Sequence, residues 1–392
     1  MTKESKGKNK GEWSELYAFI KILADGELPS ANDDLSSNYG KIIKFKSVIV
    51  KGRNGGNNRY VIDKKIIKIY DSHGILIDCF NRVLLAQKAA NLAAKILKGK
   101  GSSFKIPEAV NIQNELHLFN TSAGSKTKAD LEAVIFDVSS NAETRLGFSI
   151  KSFLGGNPTD LNASRHTQYI YHLPGMDANS AKTINEINTK NKLADRFKAI
   201  FNKCTKIQYC RMQSVEFERN IKKLDTMMPE FLAFMAIERF RPSGKKRPIY
   251  AYKTVGALTK ALSRNKGLHS KHRLSYDDYK YKIKLLLEAV SLGMVPSEIW
   301  NGYSKAKGGF LIVKNSGEIV YFSIFDRDRY LDYLFNNMIF ETPSSSPKTP
   351  SNPTGKNFPY SQIFCRGSNR DMFFVKITMQ LRFEKGFHKK II

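Results

Sequence analysis

Asp130 and Glu132 stand two apart in K-A-D-L-E-A-V-I-F-D-V, and Ser149 and Lys151 stand two apart in G-F-S-I-K-S. Both stretches alternate apolar and polar residues, as strands with one buried face do, and side chains two apart on a strand share a face. If the two strands pair, one face collects two acids, a hydroxyl and an amine. Carboxylates suit a hard cation such as Mg²⁺. An ammonium beside them can aim a water molecule and offset charge building on a phosphate. Standing alone, the same residues describe two ordinary strands with a solvated face.

The flanking chain must position these residues. A helix is expected over about 11–24, with Trp13, Leu16, Tyr17, Ile20, Leu23 and Ala24 as its buried stripe and Gly26 as its stop. Glu12 and Glu15 border that stripe, so each is either a helix cap or a further site acid. Strands are expected within 41–80, where Asp63, Asp71, Asp78 and His73 read as turn and surface residues. A second helix follows over about 81–97, packing through Val83, Leu84, Ala90, Ala93, Ala94 and Leu97. Leu116 to Phe119 reads as a strand leading toward Asp130.

After Lys151 comes G-G-N-P-T-D-L-N-A-S-R-H-T, in which N-P-T-D starts a turn and Asn162 or Ser164 caps a helix through Thr167, Ile170 and Leu173. Such a helix start, with Arg165 beside it, would offer donors to a phosphate. His166 and His172 lack the neighbours that a histidine-based metal nuclease needs. Residues 181–292 are mostly helical by period, and F-L-A-F-M-A-I-E-R-F is apolar nearly all round, hence core. Two basic clusters punctuate them, one with Arg241, Lys245, Lys246 and Arg247, the other with Arg264 and Arg273. Asp277 and Asp278 read as helix-start acids. The end of the chain reads as a hairpin around N-S-G, a short helix in D-R-D-R-Y-L-D-Y-L-F, a long loop over 341–369, and a strand over 373–383. That last strand has one apolar face and one face of Lys376, Thr378, Gln380 and Arg382, which suits a wall beside DNA.

An acid, a spacer and then x-x-Lys resembles the PD-(D/E)XK nuclease core. The fuller string G-F-S-I-K-S…G-G-N-P-T-D-L-N-A-S is similar to the HpaII-type family of type II restriction endonucleases, as are K-G-K-N-K-G-E-W-S-E, K-G-G-F-L-I-V-K and Y-L-F-N-N-M-I-F-E-T-P-S-S-S. The resemblance implies an α+β or α/β fold whose mixed central sheet is flanked by helices, with a helical insertion and a β-rich C-terminal part. The corresponding division is 1–175 for the catalytic core, 176–300 for a basic helical segment and 301–392 for the C-terminal part.

The resemblance also implies Mg²⁺-dependent cutting of double-stranded DNA at a short palindrome, C-C-G-G being the guess, with 5′-phosphate ends. Asp130 would be the central metal ligand and Lys151 the catalytic amine. Glu15 or Glu12 would be a second acid, and a main-chain carbonyl near Ser149 and Ile150 a third ligand. Likeness to a mismatch-repair nicking enzyme favours Glu15, whereas helical geometry favours Glu12. Ser149 stands where the motif usually has an acid, and Glu132 is a further possible ligand. A palindrome favours a homodimer, and a cognate DNA methyltransferase would be the system partner without a stable complex.

The bulk numbers agree with a polyanionic partner: 64 Lys and Arg against 36 Asp and Glu give a formal charge of +28 over 392 residues. An anionic membrane and a ribosomal role are the lesser candidates for such a field. No apolar run approaches a membrane span and no signal-peptide pattern opens the chain, which points to the cytoplasm. Cys79, Cys204, Cys210 and Cys365 lack zinc-type spacing. Two other functions share these features, a strand-nicking repair endonuclease and a non-catalytic DNA- or RNA-binding protein.

Overall fold

The structure, a computed structural model, describes residues 7–52, 55–101, 103–119, 129–137, 141–189, 191–204, 206–241, 254–323, 326–342, 362–366 and 371–384. In chain order come α1 (Lys10–Asp25), β1 (Glu27–Ala31), β2 (Ser37–Lys51), β3 (Asn57–Ile62), β4 (Ile66–Tyr70), β5 (Leu76–Asn81), α2 (Arg82–Lys98), α3 (Pro107–Glu115), β6 (Leu131–Asp137) and β7 (Ala142–Ser152). The middle holds β8 (Thr159–Leu161), β9 (Gln168–His172), α4 (Ala178–Glu186), α5 (Lys192–Lys203), β10 (Gln208–Met212), α6 (Val215–Lys222), α7 (Met228–Glu238), α8 (Val255–Ser263), α9 (Lys266–His272) and α10 (Tyr276–Leu292). The chain continues through β11 (Gly309–Val313), β12 (Ile319–Phe322), α11 (Arg327–Asn337), β13 (Met338–Glu341), β14 (Ile363–Arg366), β15 (Met372–Thr378) and β16 (Gln380–Phe383).

Nine strands form a mixed sheet in the order β1-β12-β11-β7-β6-β2-β3-β4-β5, and a β1–β2 pairing closes its first six into a barrel. Within it β2, β6 and β7 run antiparallel, while β11 lies parallel to β7. One face packs on α1 and α2, joining Ala133, Ile135, Phe148 and Val313 to Leu16, Phe19 and Ile20. Phe310 and Ile312 of β11 point the other way, into a second core with Phe231, Tyr279 and Tyr330. β11 is therefore buried on both faces. Ser149 and Lys151 lie beside Phe310 and Ile312 in the β7–β11 register, so they share the side of the sheet that carries the second core.

The first helix forms where its stripe predicts, and all six stripe residues are buried. Ala18, Phe19 and Ile22 are buried too, because sheet and α2 together enclose the helix. Gly26 ends it at φ +74°, a left-handed turn that glycine adopts without strain. The expected hairpin forms as β11 and β12, and α11 follows. α7 is buried through its length, and Asp278 closes a capping box with Ser275 at the start of α10.

Five expectations are corrected. α2 packs through Leu85, Ala89, Leu92 and Ile96, leaving Val83, Leu84 and Leu97 exposed. Residues 116–119 form a turn after α3 rather than a strand, held to the sheet by a Leu118–Gly52 bridge and by hydrogen bonds from the Tyr60 hydroxyl to the Leu116 carbonyl and from the Phe119 N–H to the Lys51 carbonyl. The helix expected after Ser164 is a single 3₁₀ turn, Arg165–Thr167, and then strand β9, whose Tyr169 and Tyr171 share a buried face. The last strand breaks at Met379 into β15 and β16, which enter different sheets, and its polar residues Thr378 and Gln380 are buried rather than facing outward. The expected long loop contains β14, paired with β15; residues 343–361 and 367–370 lie outside the described set.

Two smaller sheets complete the fold, β10-β9-β15-β14 and β13-β16-β8. No helix among the described residues is long and apolar enough to cross a membrane. Cys79, Cys204, Cys210 and Cys365 are free thiols.

Candidate active site

Asp130 sits just ahead of β6, with its N–H donated to the Phe148 carbonyl at 2.8 Å. Because Leu131 pairs with Phe148, Asp130 falls opposite Ser149, on the same face. Its carboxylate is held from β7: Oδ2 accepts the Ile150 N–H at 2.7 Å and the Ser149 hydroxyl at 3.2 Å. Ser149 is buried and serves here to orient Asp130.

Lys151 lies one step further along that face, 8 % exposed. Its ammonium stands 2.9 Å from Oδ1 of Asp160 on β8 and 5.4 Å from the Phe310 ring centroid. The other Asp160 oxygen accepts the Ser291 hydroxyl from α10. Burial pushes the Lys151 pKa down, but Asp160, then Asp130, and also Glu15 outweigh it and hold the pKa above the ordinary lysine value. The amine is therefore a cation, not a ready proton acceptor.

Asp160 is the member that sequence reasoning missed. N-P-T-D reads as a turn, whereas Asp160 belongs to a strand and is 4 % exposed. The one available signal was its place in the string after Lys151. Burial of that acid depends on β16, whose residues lie more than two hundred positions further on.

Geometry separates the two glutamates. Glu12 accepts the Asn9 N–H at 2.8 Å while Asn9 Oδ1 accepts the Glu12 N–H at 3.0 Å, a complete capping box. Glu15 is the acid whose charge reaches Lys151, and its Oε2 is shut off from solvent. The Ser152 hydroxyl donates to Ser14 Oγ at 2.8 Å, fastening α1 to β7. Glu132 shares the Asp130 face, but Arg145 engages both its oxygens at 2.8 Å at the surface.

The other candidates are engaged in contacts of their own or exposed. Ser164 accepts the His166 N–H, and Thr167 Oγ1 accepts the Ser164 N–H and donates to its carbonyl, so both serve the 3₁₀ turn; Asn162 and Arg165 are exposed. Arg241 pairs with Glu238 at 2.9 Å. Arg264 and Arg273 are exposed C-caps of α8 and α9. Lys245, Lys246 and Arg247 lie outside the described residues.

Among the described residues no three of His, Cys, Asp and Glu form a ready cation cage. Asp130, Glu15 and the Ile150 carbonyl are nevertheless all oxygen donors, and Mg²⁺ is commonly held by one or two carboxylates plus waters and substrate phosphate. The donor set fits that ion.

A family model described as HpaII restriction endonuclease matches residues 9–349. Type II restriction enzyme HpaII of Haemophilus parainfluenzae is 31% identical over 379 residues, spanning 96% of this chain and 98% of the relative. No solved structure matches. The match takes in the first helix, the β6–β7 pair and the β11–β12 hairpin alike, and the chain belongs to the HpaII family of restriction endonucleases.

Proposed function

We propose that the chain hydrolyses phosphodiester bonds of double-stranded DNA at a short palindrome, C-C-G-G by family likeness, using Mg²⁺ and leaving 5′-phosphates. Membership of the family makes it a type II site-specific deoxyribonuclease, and such enzymes generally use divalent metal ions. The single observation supporting the finer reading is that Asp130 and Glu15, which belong to separate segments, both bring their charge to bear on the buried Lys151 ammonium. The order of three antiparallel strands with a fourth parallel to the third supports a PD-(D/E)XK-like core.

Asp130 and Glu15, with the Ile150 carbonyl, would hold the ion. When bound, Mg²⁺ would polarise the scissile phosphate and make water a better nucleophile. Lys151, kept cationic by its acids, would orient that water and offset charge developing on the phosphoryl oxygens. Asp160 would fix the ammonium in place, and Ser149 the Asp130 carboxylate. Two copies about a two-fold axis would address the two strands of a palindrome.

Supercoiled plasmid incubated with and without Mg²⁺, for wild type and Lys151→Ala, tests this reading. Linear product should form only with wild type and metal, while Lys151→Ala still retards the DNA in a gel. Open circles alone would assign a nicking enzyme. An intact plasmid with wild type, or cutting by Lys151→Ala, would sink the proposal. Sequencing the cut ends reads out the site.

A further inference from the structure

The sheet β10-β9-β15-β14 buries one face in the second core, through Tyr169, Tyr171, Val375 and Ile377. Its opposite face carries a different chemistry. Phe374 pairs across strands with Phe364 and His172, and their rings lie 5.8 and 5.3 Å apart. Arg366 and Lys376 sit over the Phe364 ring at 5.6 and 5.3 Å, so the aromatic row holds the cations from below. Arg211 and Lys376 both pair with Ile170 from the two sides of β9, which puts them on this same face.

None of the three cations has a carboxylate partner among the described residues, unlike Arg145, Arg241 or Lys271. They also repel one another: burial, Arg366 and Arg211 together lower the Lys376 pKa. A fold that gathers like charges on a rigid sheet, without acids to offset them, favours an anionic occupant. With strands about 4.8 Å apart and residues about 3.4 Å apart along them, Arg211 and Lys376 lie roughly 10 Å apart across β9, and Arg366, opposite Met372, lies roughly 20 Å from Arg211, the rise of about six base pairs. The rings are already engaged by cations, so an arriving ligand meets charge before it meets aromatic surface.

We propose that Arg211, Arg366 and Lys376 form a phosphate-binding face for the backbone of duplex DNA outside the cleavage site. This rests on the reading of the protein as a duplex-DNA nuclease. β9 begins at Gln168, directly after the 3₁₀ turn that follows β8, the strand of Asp160. Contacts of this kind add sequence-independent affinity and set register rather than read bases.

The test is the salt dependence of duplex binding by the full-length protein in EDTA. The triple variant Arg211→Gln, Arg366→Gln, Lys376→Gln should lower the slope of log K against log salt by about 2–3, near 0.9 for each phosphate contact. Charge-conserving Arg366→Lys and Lys376→Arg should restore most of it. An equal loss of charge at the exposed Lys64, Lys65 and Lys198 should leave the slope unchanged. A wild-type slope in the first triple variant, or the same drop in both, overturns this face while the nuclease reading stands. Tighter binding of a single strand than of duplex, lost in Phe374→Leu, would give the face to stacked bases and overturn it as well. A wild type that binds no duplex removes both readings.

Discussion

The Lys151 ammonium is held 2.9 Å from Asp160, with side chains 10% and 0% exposed. A buried pair of this kind is costly to break from one side, because the survivor is left charged and dry; the usual penalty is about 3–5 kcal/mol. Asp130 and Glu15 also face Lys151, so Asp160→Ala should fall near the lower end, about 3 kcal/mol. Lys151→Met combined with Asp160→Leu should recover part of that loss, since neither member of the pair is then left charged alone, while Asp130 and Glu15, deprived of the ammonium, limit the recovery. Urea unfolding of the single and double variants checks this. Wild-type stability in Asp160→Ala would mean that the pair does not form in solution.

The division between the two glutamates of α1 yields an opposed pair of outcomes. Glu12→Ala removes half of a capping box and should cost about 1 kcal/mol of stability while plasmid cutting continues. Glu15→Gln keeps the side-chain shape and should abolish cutting with little change in the unfolding midpoint. Activity surviving in Glu15→Gln but not in Glu12→Ala would reverse the assignment.

Much of this arrangement could be read in the chain because it rests on local pattern. The α1 stripe is one, since Trp13, Leu16, Tyr17, Ile20 and Leu23 recur at helical spacing. The face shared by Asp130 and Ser149 is another, fixed by strand alternation once the two strands pair. What escaped depended on distant chain. In α2, leucines and alanines occupy every side, so period alone cannot choose Leu85, Ala89, Leu92 and Ile96 over their neighbours. At 164–172 the capping residues were legible, but the chain follows the strand preference of Tyr169, Ile170 and Tyr171, which pair with β10 and β15. Asp160 gained its role only through contacts with Lys151, Ser291 and β16.

Glu132 tests whether sharing a face is enough. Its carboxylate lies at the surface, 42% exposed, in a two-point pair with Arg145. Surface pairs contribute roughly 0–1 kcal/mol. Glu132→Ala should therefore cut plasmid at close to the wild-type rate and unfold at a similar urea concentration. Loss of cutting with the fold intact would return this residue to the metal site.

Gly147 occupies the step before Ser149 and Lys151 on the same face, where a side chain has no room. A Cβ there would stand 2.9 Å from the Ala129 Cβ and 3.0 Å from the Lys305 carbonyl oxygen. The Gly147 carbonyl also accepts the Gly308 N–H at 2.7 Å, tying down the segment that crosses above it. Gly147→Ala must then move residue 129, next to Asp130, or the backbone at 305. Overpacking of this kind costs about 1–3 kcal/mol. A displacement of about 1 Å at a reacting centre can cost on the order of a hundredfold in rate. Single-turnover cleavage at saturating enzyme should fall by about ten- to a hundredfold, with DNA binding kept because none of the proposed phosphate contacts is touched. An undiminished rate in a stably folded Gly147→Ala would show that Asp130 does not need the position that β7 gives it.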